Sequence, residues 1–199
     1  TRFAGRVTPV AMRCSAALMK SVKVFFFSNS FPCSYQPRPS SPPPRTCAMT
    51  NTTPRSSSDS RAMDPKLAAM KITSLMSHLP LANNPPLVIK KIDSTLRGNI
   101  GAEIEALMKA CGITGAVVAP AFPQAGRTTV AGECWVNGVR ITETEFASDP
   151  KTPVLSARIA DIIRLQTAIP CQPVTVSQLS HLSYEQPWIG VIDAQTDSD

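Results

Sequence analysis

Apolar positions fall into short, evenly spaced runs from about residue 64 onward, and each run predicts one element. Leu67, Met70, Ile72, Leu75, Met76 and Leu79 recur at helical spacing after Asp64 and Pro65, a good helix start, and the run stops at Pro80. The pattern predicts a helix with that face in the core. Pro86-Leu87-Val88-Ile89 is a short apolar, partly β-branched run and predicts a strand. From Asn99 the chain reads as a second helix, with Glu103 and Glu105 early, Ile104, Leu107 and Met108 on one face, and Gly112 as the stop. Residues 115–119, GAVVA, form a second buried strand, so this unit is expected to cross over right-handed between parallel strands.

Later elements follow the same logic. Asn137-Gly138 between Glu133-Cys134-Trp135-Val136 and Val139-Arg140-Ile141-Thr142 predicts a two-residue hairpin, projecting as a flap or contact arm. Ser156 starts a helix carrying Ile159, Ile162, Ile163 and Leu165, ended by Pro170. Residues 173–176 and 189–192 predict further strands, the second ending at Asp193, which suits a loop acid and a site residue equally well. The fold class is therefore α/β, an open, mostly parallel sheet with flanking helices and an inserted β-hairpin.

The most polar stretch in this frame is KKIDSTLRGN, residues 90–99, lying between the first strand and the second helix. Open parallel sheets place ligands at such strand carboxyl ends. Arg97 can clamp a carboxylate or phosphate through two parallel hydrogen bonds, and Lys90 or Lys91 adds a compact charge; alternation turns one of the two lysines away. Asp93 is the turn's carboxylate and can accept a hydrogen bond or a proton from a substrate hydroxyl. Ser94, Thr95 and Asn99 supply neutral donors and acceptors, Gly98 lies among them, and the first helical amides favour an anion. Together they suit an anionic polyol. The plainer alternative is that Asp93, Ser94 and Asn99 cap the helix while the cations lie in solvent; composition favours the site. PAFPQAGRTT, residues 120–129, follows the second strand as a loop at the same edge, with Gly126 freeing the backbone and Arg127, Thr128 and Thr129 as anion donors, or as a plain surface loop.

KKIDSTLRGN followed by IGAEIEAL, then VVAPAFPQAGRTTVAG, NGVRITETEFASDPKTPV and VIDAQTD, resembles the N-terminal, sugar-binding domain of the four-carbon acid sugar kinases in both order and spacing. The similarity spans about residues 58–199. Members of that family phosphorylate threonate, erythronate or their oxo relatives with ATP. The resemblance implies Asp93 as base or hydroxyl-orienting group, and Lys91, Ser94, Thr95, Arg97, Gly98, Asn99, Gly126, Arg127 and Thr128 as substrate-binding residues, with two arginines holding the two ends of the acid. ATP and Mg2+ are implied for the family but bound mainly by a C-terminal nucleotide domain, so none is expected on this chain alone. That domain and a four-carbon sugar acid are the expected partners, and the isolated substrate half is expected to be inactive. A non-catalytic sugar-acid binder, or a bare scaffold, is the rival reading. The acids of residues 143–149 are expected to form a solvated edge, although the family pattern leaves a substrate or interdomain role open.

Composition adds a boundary. Residues 1–60 hold eight Lys/Arg against the single acid Asp59, eight prolines and one glycine, whereas the rest holds twelve Lys/Arg and thirteen acids. The overall net charge of +6 therefore belongs to the start of the chain, and a nucleic-acid partner built on it is not expected. Residues 1–57, Pro-, Ser- and Arg-rich, read as a disordered N-terminal segment whose one strand candidate, residues 22–27, is too short to span a membrane. Proline density argues against a transit peptide; a cytoplasmic protein is expected. The family's opening strand, ending in an Asp-Asp-x-Thr-Gly turn, has no counterpart here, and resemblance resumes at Ser58-Asp59-Ser60-Arg61, like the family's Ser-Arg element. A shifted reading frame or mispredicted exon over residues 1–57 would explain this, and would leave the sheet with an open edge or a gap. An intact, in-frame message through this region would sink that idea.

Six cysteines without a CxxC pair make neither a disulfide framework nor a zinc site, and Cys111 reads as a core residue. Neither His78 nor His181 lies near a motif, which argues against a triad or a histidine metal centre. No GxxxxGK[ST] is present, and Gly98-Asn99-Ile100-Gly101 is not a dinucleotide fingerprint.

Overall fold

The computed structural model describes residues 23–27, 57–78, 88–175, 178 and 186–199. Its central feature is a five-stranded sheet in the order β2-β1-β3-β8-β7, built from β1 (Lys23–Phe27), β2 (Val88–Lys91), β3 (Gly115–Ala119), β7 (Cys171–Val174) and β8 (Trp188–Ile192). β3, β8 and β7 are mutually parallel. β1 runs antiparallel to both β2 and β3, with Lys23 level with Lys91 on one side and Ala119 on the other. β2 and β3 therefore point the same way, but with β1 between them.

That arrangement corrects the expected gap: the strand candidate in the N-terminal segment occupies the position between β2 and β3. The rest of residues 1–56 lies outside the described residues, as do Leu79, Pro80 and His181. The carboxyl ends of β2, β3, β7 and β8 all meet one edge of the sheet, which fixes where ligand chemistry can be assembled.

Among the described residues, three α-helices accompany the sheet: α1 (Pro65–His78), α2 (Ile100–Cys111) and α3 (Ile159–Arg164). α2 forms as its periodicity predicts, burying Ile100, Ile104, Leu107 and Met108 and ending on Gly112 in the left-handed region. α1 turns differently: Ala68 and Ile72 are its buried residues, while Leu67 and Met70 are 57% and 67% exposed. α1 packs along α2 with Ala68 and Ile72 turned inward. α3 buries Ile159, Ile162 and Ile163 and leaves Leu165 exposed; Ser156 Oγ accepts the amide N–H of Arg158 just before it. Ile104, Ile141, Ile159, Ile163, Ile189, Val118 and Val191 form the fully buried centre, each contributing roughly 1.5 to 3 kcal/mol on transfer from water.

The predicted hairpin is present as β5 (Glu133–Val136) and β6 (Val139–Arg140), with Asn137 and Gly138 at φ 52° and 79°, the pair of positive values a two-residue turn needs. It is not a free arm. β4 (Arg127–Val130) pairs with β5 to make a second, three-stranded sheet, and Thr129 and Ala194 exchange backbone hydrogen bonds that join it to the end of β8. Residues 120–129, read as a loop, are thus a short 3-10 turn (Pro123–Ala125) followed by a strand. The last predicted residues of β6 instead begin a 3-10 turn, Ile141–Glu143.

Candidate functional site

The chain leaves β2 into a tight turn in which the amide of Leu96 donates to the Asp93 carbonyl at 3.0 Å. Leu96 adopts φ 60° although its side chain is buried, a left-handed conformation that costs about 1 to 2 kcal/mol for a residue with a Cβ. The reversal folds Arg97 back over the turn. Its Nε donates to Asp93 Oδ2 at 3.0 Å and to Thr95 Oγ1 at 2.9 Å, and its Nη1 donates to Asp149 Oδ2 at 2.9 Å. The guanidinium also stacks 5.3 Å from the Phe146 ring centroid. Burial alone would lower the Arg97 pKa, but the two carboxylates outweigh it and hold the cation above its ordinary value.

Asp149 corrects the expectation of a solvated acidic edge. Its Oδ1 accepts the amides of Thr152 at 2.9 Å and Lys151 at 3.0 Å, and its Oδ2 accepts Arg97. Those donors, the two amides first, bring its carboxyl down to about 2. Glu143 and Glu145 do lie exposed.

A second cation completes the group. Arg61 Nη2 stands 3.6 Å from Asp93 Oδ2 with its side chain 53% exposed. Its turn is held from below: Asn99 Nδ2 donates to the carbonyls of Ser60 and Met63, each at 2.9 Å, and the Ser60 hydroxyl donates to Glu103 Oε1. Glu103 is buried and forms an ion pair with Lys90 through its other oxygen. Gly98 explains itself in the same contact, because a Cβ at that position would stand 3.0 Å from Arg61 Cγ and 3.2 Å from its Cα, at φ 96°.

Of the predicted site residues, the structure thus gathers Asp93, Thr95 and Arg97 directly, and uses Gly98 and Asn99 to seat Arg61. Ser94 is half-buried in the same turn, and Lys91 is exposed at the end of β2, with Lys90 turned inward. Gly126, Arg127 and Thr128 make no hydrogen bond or ion pair with that group among the described residues. Arg127 Nη1 donates to the Ala125 carbonyl at 2.7 Å, its buried Nε has no partner among the described residues, and no hydrogen bond or ion pair links it to the Asp93 group. It lies near Cys134, whose thiol is pushed up to about 11 by burial against the opposing charge of Arg127. Asp193 accepts the amides of Ala131 at 2.7 Å and Gly132 at 2.8 Å, a turn-holding role. Arg61 is marked in the sequence only by the resemblance of Ser58-Asp59-Ser60-Arg61 to a family element, and Asp149, 52 residues from Arg97, only as one of the acids of residues 143–149.

The amide end of α2 is already occupied. Gln166 Oε1 accepts from Gly101 at 2.9 Å and Ala102 at 3.4 Å, and its Nε2 donates to the Gly98 carbonyl at 2.9 Å. The open anion-binding helix terminus expected from the sequence is therefore replaced by a side-chain cap. Among the described residues, no three His, Cys, Asp or Glu side chains converge on a metal position, and no helix is long and apolar enough to cross a membrane.

A family model described as a sugar-binding N-terminal domain matches residues 47–199. The chain belongs to the four-carbon acid sugar kinase family, as its sugar-binding N-terminal domain. Over 116 residues the sugar-binding domain is 54% identical to a D-threonate kinase of Salmonella typhimurium, covering 58% of this chain and 27% of that protein. It is 44% identical over 110 residues to a D-erythronate kinase of Heliobacterium modesticaldum, covering 55% of this chain and 25% of the relative. A crystal structure of a domain of unknown function from Bordetella bronchiseptica, a domain-swapped dimer with bound citrate, superposes with a TM-score of 0.55 at 30% identity, covering 70% of this chain and 36% of that one. The aligned part of the sugar-binding domain spans about a quarter of the length of those two kinases.

Proposed function

We propose that this domain binds a four-carbon sugar acid, of the threonate, erythronate or 3-oxo-tetronate type, at the Asp93 edge of the sheet and orients one hydroxyl for phosphorylation. The observation that carries the reading is the convergence of Asp93, Thr95, Arg97, Asp149 and Arg61 beyond the carboxyl end of β2 in a member of a sugar-acid kinase family. The citrate held by the Bordetella relative supports a carboxylate ligand for this fold.

Asp93 is the group suited to the substrate hydroxyl. Its Oδ2 is engaged by Arg97, which orients the carboxylate, and its Oδ1 receives only a long contact, 3.4 Å, from the Thr95 amide. That oxygen can accept a hydroxyl hydrogen bond and, as the hydroxyl becomes a nucleophile, its proton. Arg97 acts as a strut as much as a clamp, since its Nε and Nη1 already hold two carboxylates and a hydroxyl.

The α2 amides that would cradle a nucleotide phosphate are taken by Gln166, so the first turn of α2 does not fit one. The reading therefore assigns the nucleotide to a separate C-terminal domain, and to this one the binding and positioning that dominate phosphoryl transfer.

Thermal unfolding of the chain with D-threonate, D-erythronate and 3-oxo-tetronate tests this. A ligand at 100 times its Kd stabilises by about 2.7 kcal/mol, or roughly 5 to 11 °C for a domain of this size. The shift is expected to be stereospecific and absent in Asp93→Ala, in which Arg97 keeps its Asp149 partner. A cooperative transition that none of these acids moves would leave a scaffold without a sugar-acid site.

A further inference from the structure

The first turn of α2 is capped by a residue that does not belong to it. Asn99 stands where an asparagine side chain ordinarily accepts the second or third helical amide, which here are those of Gly101 and Ala102. It makes no such bond, and its backbone, at φ −98° and ψ 44°, is not the extended one that a capping residue takes. Its Nδ2 donates instead to the carbonyls of Ser60 and Met63, which bracket Arg61.

Gln166 does the capping in its place. Its Oε1 accepts the amides of Gly101 and Ala102 and its Nε2 donates to the Gly98 carbonyl, so one side chain straddles Asn99. Gly101 admits it: a Cβ there would stand 2.4 Å from the Ile163 carbonyl oxygen and 3.0 Å from Gln166 Cβ, so the end of α3 reaches α2 because that position is bare. Gln166 and Asn99 thus compete for the same two amides, and the outcome decides where the Asn99 side chain points.

We propose that Gln166 is a positioning residue for the candidate sugar-acid site: by occupying the α2 amides it keeps the Asn99 side chain on the turn of residues 60–63, and through that turn it sets Arg61 beside Asp93. The inference rests on the sugar-acid reading above and adds to it a residue that acts without touching the ligand. Without Gln166, Asn99 caps its own helix, the two carbonyls lose their donor, and Arg61, 3.6 Å from Asp93 with its side chain 53% exposed, loses its fixed backbone. The helix is capped in both arrangements, and the site is assembled in one of them. Ordering Arg61 in advance removes a cost that binding would otherwise carry.

Gln166→Leu in the full chain separates this role from plain support. In proton–nitrogen correlation spectra recorded without ligand, the Asn99 side-chain amide is expected to exchange with solvent about tenfold faster than in the wild type. Tm is expected to fall by no more than about 3 °C, because Asn99 replaces the lost cap. Calorimetric titration with D-threonate and D-erythronate is expected to show about tenfold weaker binding, the scale of one hydrogen bond. Asn99→Ser, too short to hold both carbonyls, should weaken the acid to the same degree, and the double variant no further, since both changes release one turn. A purely structural Gln166 would lower Tm and leave Asn99 protected; that result, or a Gln166→Leu chain that does not fold, overturns the proposal. Gln166→Glu keeps an acceptor for both amides and is expected to retain the Asn99 protection, and loss of protection there overturns it too. If the wild type binds an acid and Gln166→Leu binds it equally well, the sugar-acid reading stands and the positioning role falls. If the wild type binds neither acid, the sugar-acid reading falls and takes the positioning role with it.

Discussion

Replacing Lys90 by Met tests whether the buried pair beneath the site holds it together. The Lys90 and Glu103 side chains are 11% and 8% exposed, and the remaining Glu103 oxygen takes the Ser60 hydroxyl. Removing one partner of a buried pair strands the other charge and costs about 3 to 5 kcal/mol. Glu103 keeps its Ser60 bond in Lys90→Met, so the lower end, about 3 kcal/mol, is expected. Spread over a domain of this size, that is a fall in Tm of roughly 6 to 12 °C. Urea unfolding followed by circular dichroism measures the loss, and the double variant Lys90→Met with Glu103→Met supplies the control. With both charges gone and similar volume retained, it is expected to unfold within about 1 kcal/mol of the wild type. A Lys90→Met loss under about 1 kcal/mol, or a double variant as unstable as the two singles combined, would refute the claim that the pair is dry and mutually dependent.

Gly126→Ala should be strongly destabilising, since its Cβ would stand 1.9 Å from Asn137 Oδ1 at φ 69°, and Asn137→Gly in the same chain should recover all but about 1 kcal/mol in a denaturant titration; failure of that rescue would mean the clash is elsewhere. The Asp149 carboxyl is depressed in the fold to about 2 from an unfolded value near 4, so its contribution is complete above about pH 4 and lost as pH falls toward 2. Asp149→Asn should therefore flatten the acid limb of a stability-versus-pH curve in that window, and an unchanged limb would count against the Arg97 and amide contacts. Burial raises the thiols of Cys134 and Cys171 to about 11 and about 12, so peptide mapping after treatment with an aromatic disulfide at pH 8 should find both unmodified until denaturant is added.

Local pattern proved a good guide wherever one element answers for itself. The α2 face, its Gly112 stop and the Asn137-Gly138 turn each depend on residues within one or two turns of chain, and each forms where the pattern places it. α1 shows the limit, because spacing marks apolar positions without saying which of them the neighbour covers; Ala68 and Ile72 are buried while Leu67 and Met70 lie outside. Arg127 reads as a loop residue because strand pairing with β5 is a tertiary fact. The candidate site divides in the same way: the turn of residues 90–99 is visible as a polar interruption, whereas the partners that give it shape, Asp149, Arg61 and Gln166, arrive from distant segments with no spacing rule to announce them.

The position of β1 bears on the order in which the molecule can be made. β2 and β3 do not touch each other; both lean on a strand translated long before them, with Phe26 paired to Val88 and Phe27 to Gly115. The helical unit around α2 can form early from local contacts, but the sheet beneath it cannot close until residues 23–27 find two partners at long sequence separation, the slow kind of closure. On the ribosome, the short KVFFF segment must wait for both while carrying the high β-propensity that also favours pairing with other chains. Yield during synthesis is then a contest between intramolecular insertion and self-association, and it should respond to translation rate and to chaperones that mask this one segment.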